Sequence, residues 1–262
     1  MSDESVLFTR SGPIARITLN RPTQGNAINM KMAVDLAALA LRCDTDASIR
    51  CVVISGTGRL FCVGGDLSLF NGAGDQISSV LSELAGTMHT ALTRLARMQK
   101  PLLVLINGPA AGAGLSLSLL GDVVLAARSA HFTCAYTGIG LTPDGGMTWT
   151  LPRLVGVRKA QEMLLTNRRI GANEAERIGL ITRVVDDESL TEEGAKIAST
   201  LARSATRALG ATRSLILASF DSSFETQLER EARAIAAAGK DAESAEGLAA
   251  FVSKRPPNFD EA

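Results

Sequence analysis

Apolar runs no longer than a short strand recur along the chain, at 14–19, 51–55, 102–107 and 122–126, and stretches with helical spacing stand between them. Met32, Leu36, Leu39 and Ala40 mark one helical face over 30–42. Val80, Leu81, Leu84, Met88, Leu92 and Leu95 mark another over 77–98, which Pro101 stops. Strands separated by helices cannot close tight hairpins, so their pairing is by crossover and parallel. The spacing therefore predicts an α/β architecture. Only 6–9 and 14–19, around Ser11-Gly12-Pro13, read as a hairpin. From about residue 190 the strand signals stop, and 191–217, 224–238 and 242–251 read as helices. Alanine-rich faces such as Ala234, Ala237 and Ala238 allow close helix approach. We expect an α/β core over 1–195 and a helical oligomerisation region over 196–262.

Charge and cysteine content narrow the function classes. Lys and Arg together number 27, as do Asp and Glu, so the chain offers no general attraction to nucleic acid or to an anionic membrane. No apolar stretch is long enough to span a bilayer. Cys43, Cys51, Cys62 and Cys134 lack any C-x-x-C or zinc spacing and read as reduced, buried thiols. With only His89 and His131, a His-rich metal site is excluded, and no metal is expected. The start, Met1-Ser2-Asp3-Glu4-Ser5, is acidic and polar, unlike a signal peptide. A cytoplasmic location is the expectation.

Two glycine-bearing segments, each after a strand-sized run, carry the chemistry. They are Phe61-Cys62-Val63-Gly64-Gly65-Asp66-Leu67 and Asn107-Gly108-Pro109-Ala110-Ala111-Gly112-Ala113-Gly114-Leu115. Neither has bulk where main chain would approach a ligand. Together they suggest two peptide N–H groups converging on one oxygen, and the second opens a helix, whose start favours negative charge. The implied reaction passes through a carbonyl-derived anion.

These segments, with Leu19-Asn20-Arg21-Pro22 to Asn26-Ala27-Ile28, Gly138-Ile139-Gly140-Leu141-Thr142-Pro143-Asp144-Gly145-Gly146 and Phe251 to Phe259 around Lys254-Arg255, resemble the signatures of the crotonase superfamily, the enoyl-CoA hydratase/isomerase family. The resemblance implies a crotonase-like spiral of repeated ββα units and a C-terminal helical region that builds trimers, commonly paired as hexamers. It implies an acyl-coenzyme A thioester as substrate, with coenzyme A part of that substrate and no separate cofactor. By position, Gly65 and Ala113 supply the two amide donors. Cys62, Gly64, Asp66 and Leu67 would hold adenine and pantetheine, and Lys254 would meet a coenzyme A phosphate, often on a neighbouring subunit. Asn26 matches a loop position that fixes backbone.

The side chains around the donors select the reaction. The two glutamates that activate water in typical hydratases are replaced here by Ser116 and Tyr136, poor bases at neutral pH. Asp144 occupies the position where isomerases of the family, including the 1,2-epoxyphenylacetyl-CoA isomerases that its segment resembles, keep a proton-shuttling acid. Its Pro-Asp-Gly setting also reads as a turn and as an N-cap for the helix near residue 145. In 4-chlorobenzoyl-CoA dehalogenase the same position is a nucleophile, which keeps a hydrolytic or dehalogenating reading, beside a hydratase and a silent acyl-CoA-binding protein. Tyr136 and Trp149 are candidates to line the acyl pocket. His89, beside core-facing Met88, reads as a satisfied or polar-face histidine, and His131 as structural.

Overall fold

The structure, a computed structural model, describes residues 4–260. Residues 1–3, within the stretch read as unlike a signal peptide, and residues 261–262, at the end of the expected helical region, lie outside the described residues. β1 (Val6–Ser11) and β2 (Ile14–Leu19) form the expected antiparallel hairpin. α1 (Met30–Thr45) crosses to β3 (Cys51–Gly56), which pairs parallel with β2. After α2 (Leu67–Gly72) and α3 (Ile77–Arg97), β4 (Leu102–Ile106) joins β3. β5 (Ala110–Ala111) and α4 (Ala113–Ser118) lead to β6 (Val123–Ala127), parallel with β4. β7 (His131–Thr133), α5 (Met147–Val155), α6 (Val157–Thr166), β8 (Ile170–Gly171) and α7 (Ala172–Arg177) come before β9 (Arg183–Val185). The large sheet runs β1-β2-β3-β4-β6-β9. α8 (Leu190–Arg203), α9 (Thr206–Ser219), α10 (Phe224–Ala238) and α11 (Ala242–Val252) follow.

Each turn of the chain leaves the large sheet and drops a short extended piece into a second layer. Ile28 bridges Gly65, Cys62 bridges Ala110, β5 pairs with β7, and β7 pairs with β8. The strand-then-short-strand-then-helix turn is the spiral expected from the resemblance. This second layer brings the two glycine segments side by side.

The central strands are apolar on both faces because both faces are covered. Side chains alternate along a strand. Leu102, Val104 and Ile106 therefore join Val52 and Ile54 in a core beneath α1 and α3. Leu103 and Leu105 join Cys51, Val53 and Leu125 in a smaller core beneath α8. On α3, Leu84, Met88, Leu92 and Leu95 are buried, as the spacing predicts. Full burial of one such side chain stabilises the fold by roughly 1.5–3 kcal/mol.

Two expectations are corrected and one unassigned stretch is filled. The run 191–217 is two helices, broken at Ser204-Ala205. Its cause is distant in sequence: Glu243 of α11, 4% exposed, accepts the N–H groups of Thr206 and Arg207 at 3.0 Å each. A buried carboxylate thus starts α9 afresh. The boundary at 195/196 falls inside α8, whose Ala198 and Ala202 belong to the core beneath the sheet, so the helices that leave the sheet begin after Ser204. The stretch after α5, unassigned in the sequence reading, forms α6, β8, α7 and β9. Among the described residues, no helix is long and apolar enough to cross a membrane.

Candidate active site

Asn26 fixes the ground on which the site is built. It is fully buried with φ +56°. Its amide donates to the carbonyls of Thr57, Leu60 and Phe61, and its oxygen accepts from Arg21 N–H. One side chain thus ties the loop after β2 to the loop after β3. Asn107 does the same between β4 and that loop, accepting from Gly56 N–H and donating to Gly58 carbonyl.

The amides on either side of Gly65 are spoken for. Ile28 N–H donates to Gly64 carbonyl at 2.7 Å, and Asp66 N–H donates to Ile28 carbonyl at 2.9 Å. In extended chain successive N–H groups point opposite ways. With Asp66 facing Ile28, the Gly65 N–H faces the other side, toward the cavity. On the second loop, Ala111 N–H donates to Cys62 carbonyl at 2.9 Å and Gly112 N–H to Thr133 carbonyl at 3.2 Å. Among the described residues, neither Gly65 N–H nor Ala113 N–H has an acceptor. The loops touch through glycine: a methyl placed on Gly64, φ +105°, would sit 3.4 Å from Ala113 N and 3.2 Å from Ala111 O.

These amides line a cavity of about 690 Å³. The lining includes Gly64, Asp66, Leu67 and Phe70, then Leu81, Leu84, Ala85 and Met88 of α3, and Tyr136, Leu141 and Asp144. Asp66 and Asp144 are the carboxylates of this lining. Asp144 Oδ1 accepts from the Tyr136 hydroxyl at 2.6 Å. Its Oδ2 lies 3.6 Å from His89 Nε2. That nitrogen accepts the Gly145 N–H at 3.0 Å, which occupies its lone pair. Ser116, buried on α4, donates to the Asp144 main-chain oxygen at 3.0 Å. Burial, reinforced by the Asp144 charge, pushes the Tyr136 phenol far above its ordinary value, so it stays protonated.

The structure brings Gly64, Gly65, Asp66, Leu67, Ala113, Tyr136 and Asp144 to one cavity. Asp66 also serves its loop: it caps α2 through Ser68 and pairs with Arg21 at 2.8 Å. Burial pushes its carboxyl up, but the Ser68 and Arg21 contacts outweigh this and hold it below the ordinary range. The helix-cap reading of Asp144 does not hold, because Gly146 stands at the start of α5 with no side-chain cap. Cys62 does not reach the cavity wall. It is fully buried, its N–H donates to Pro109, its carbonyl accepts from Ala111, and its thiol, pushed up to about 12 by burial, donates to Asn26 carbonyl. Trp149 is absent from the wall as well: it packs edge-on against Phe220, beneath Arg153. Lys254 stands on the exposed tail after α11, away from its own chain's cavity. His131 sits on β7, away from the cavity. His89 is the contact that sequence reasoning undervalued. Its place beside Met88 put it at the rim of the buried stripe, which was the available signal. No cluster of three or more His, Cys, Asp or Glu among the described residues could hold a metal ion.

The fold is thus a two-layer α/β spiral, and two unengaged main-chain donors line its cavity together with Asp144. The signature of the enoyl-CoA hydratase/isomerase family matches residues 9–262, and the chain belongs to that family. It is 38% identical over 247 residues to the 1,2-epoxyphenylacetyl-CoA isomerase of Escherichia coli K12, covering 94% of each chain. It is 40% identical to a probable enoyl-CoA hydratase of Rhodobacter capsulatus, covering 99% of each. It is 33% identical to 4-chlorobenzoyl coenzyme A dehalogenase-2 of an Arthrobacter species, covering 97% of this chain and 92% of that one. The crystal structure of an enoyl-CoA hydratase from Polaromonas sp. JS666 superposes with a TM-score of 0.92 at 30% identity, covering 97% of this chain and 98% of that one. The fold is therefore the crotonase fold, and the chain is an enzyme of the acyl-CoA class. The relatives' names diverge over the reaction itself.

Proposed function

We propose that this protein isomerises the double bond of an enoyl-CoA thioester. The observation that carries the reading is a cavity lined by Asp144 and by two unengaged main-chain donors, whose other carboxylate, Asp66, is held by Ser68 and Arg21, with Ser116 and Tyr136 where a water-activating pair would stand. Asp144 takes a proton from the carbon next to the thioester carbonyl. The electron pair moves into the thioester, and Gly65 and Ala113 N–H groups stabilise the charge on its oxygen. Asp144 then returns the proton to the far carbon of the original double bond, two carbons further along. One base suffices, and the donors favour the enolate over the neutral ground state.

Coenzyme A enters as part of the substrate, with main chain around Gly64, Asp66 and Leu67 at the mouth of the cavity. Lys254 meets a coenzyme A phosphate from a neighbouring subunit. The assembly is a homotrimer or a pair of trimers, supported by α10, which buries none of its residues, and by exposed Ile235, Leu248 and Phe251. Four buried free thiols suit a reducing, cytoplasmic setting.

A hydrolytic or dehalogenating enzyme would use Asp144 as a nucleophile and need a second base for water. The nearest candidate, His89 Nε2, has its lone pair on Gly145 N–H, which favours isomerisation. The test is an absorbance assay of the conjugated thioester. Incubation with a series of 3-enoyl-CoA esters is expected to raise it, and crotonyl-CoA to leave it unchanged. Loss with crotonyl-CoA would mean hydration, and tight binding without change for any chain length would mean a silent acyl-CoA-binding protein.

A further inference from the structure

We infer that Tyr136 is a positioning residue that divides the two oxygens of Asp144, holding Oδ1 so that Oδ2 alone carries the proton; this rests on the isomerase reading. The Tyr136 hydroxyl donates to Oδ1 at 2.6 Å. Ser116 Oγ lies 3.2 Å from the phenol oxygen, but its own proton goes to the Asp144 main-chain oxygen at 3.0 Å. The phenol proton is thereby left for the carboxylate. Oδ2 has no donor among the described residues. It faces His89 Nε2 at 3.6 Å, and that nitrogen is itself an acceptor.

The backbone is bent to make this contact. Ala135 has φ +66°, and Tyr136 N–H closes a three-residue turn onto Cys134 carbonyl at 2.9 Å. A γ-turn of positive φ is the rare, strained form, and a non-glycine residue is held there only where its surroundings impose it. The turn carries the chain from the end of β7 straight to the cavity wall and aims residue 136 at Asp144.

The chemistry gains from a pinned carboxylate. In the first step the C–H bond next to the carbonyl breaks and an O–H bond forms on Oδ2. The electron pair passes to the thioester oxygen between Gly65 and Ala113. In the second step the Oδ2–H bond breaks and a C–H bond forms two carbons further along. The Tyr136 proton stays on its phenol throughout. A carboxyl free to rotate about its Cβ–Cγ bond would exchange its oxygens and lose the transferred proton to solvent.

Tyr136 is the single tyrosine of the sequence, so fluorotyrosine incorporation alters this residue alone. The full-length enzyme, Tyr136→Phe and Asp144→Asn are assayed on a 3-enoyl-CoA in heavy water, reading kcat, KM and deuterium at the newly protonated carbon. Tyr136→Phe is expected to lower kcat by about 10- to 100-fold with KM little changed, and to raise deuterium content above the parent's. Parental kcat and parental deuterium in Tyr136→Phe overturn the inference. Parental turnover in Asp144→Asn would remove Asp144 as the proton carrier and overturn the inference with it, whereas no turnover by the parent enzyme would remove the isomerase reading itself. Should Tyr136→Phe not fold, 3,5-difluorotyrosine supplies a stronger donor at the same place, with His89 of α3 the other titratable side chain in contact with Asp144 in every variant. The acid limb of kcat/KM is then expected to move to lower pH, and an unmoved limb overturns the inference.

Discussion

Gly64 sets how closely the two donor loops can approach. Its φ of +105° disfavours any side chain, and a methyl there would press on Ala111 O and Ala113 N. Gly64→Ala is expected to part the loops and lower kcat/KM by about 10²–10³-fold, the usual cost of one lost oxyanion donor, while the protein stays folded. Steady-state kinetics beside a thermal melt check this. The two glycine segments stood out in the sequence because glycine is informative wherever main chain must approach something, whereas the choice of Gly65 and Ala113 within them came from the resemblance. Asn26 was legible as a backbone-fixing residue for a similar reason. Cys62 and Trp149 were not placed correctly, since sequence position near a motif does not say which way a side chain or amide points. Cys62 spends its amide and carbonyl on neighbouring strands. Trp149 lies on the outer side of α5, against Phe220.

Elements with a long periodic stripe, such as α1 and α3, were predicted almost to their ends, because burial of one face decides them. Two- and three-residue strands such as β5, β7 and β8 carry no periodicity and are formed by their place in the second layer. The break between α8 and α9 was invisible for another reason: its cap, Glu243, comes from α11. Glu243 also lies 3.4 Å from Arg50, whose guanidinium donates to the carbonyls of Ala202 and Ser204 at the end of α8. Glu243→Gln keeps the shape and removes the charge that both helix amides and Arg50 use. We expect it to destabilise the protein by about 2–3 kcal/mol, read as a lower denaturant midpoint, because hydrogen bonds to a charged, buried group are the strong ones. An unchanged midpoint would assign the break to local sequence instead.

Across the whole molecule, the alternation of strand and helix gave the class of fold, whereas the spiral came only with the resemblance, and the structure bears it out. The uncovered apolar side chains of α10 and α11 are intelligible as a surface for copies of the same chain: a mass by light scattering of three or six chains is expected, and a monomer would contradict it. The account as a whole turns on one thioester oxygen held by two amides in the cavity that Asp144 lines. Its most direct test is the infrared carbonyl band of a ¹³C-labelled 3-enoyl-CoA bound to Asp144→Asn, a variant expected to bind without turnover. The account predicts a band at lower frequency than in free substrate, since two hydrogen bonds withdraw electron density from the carbonyl. A band at the solution frequency, in a complex shown to be fully formed, would contradict it.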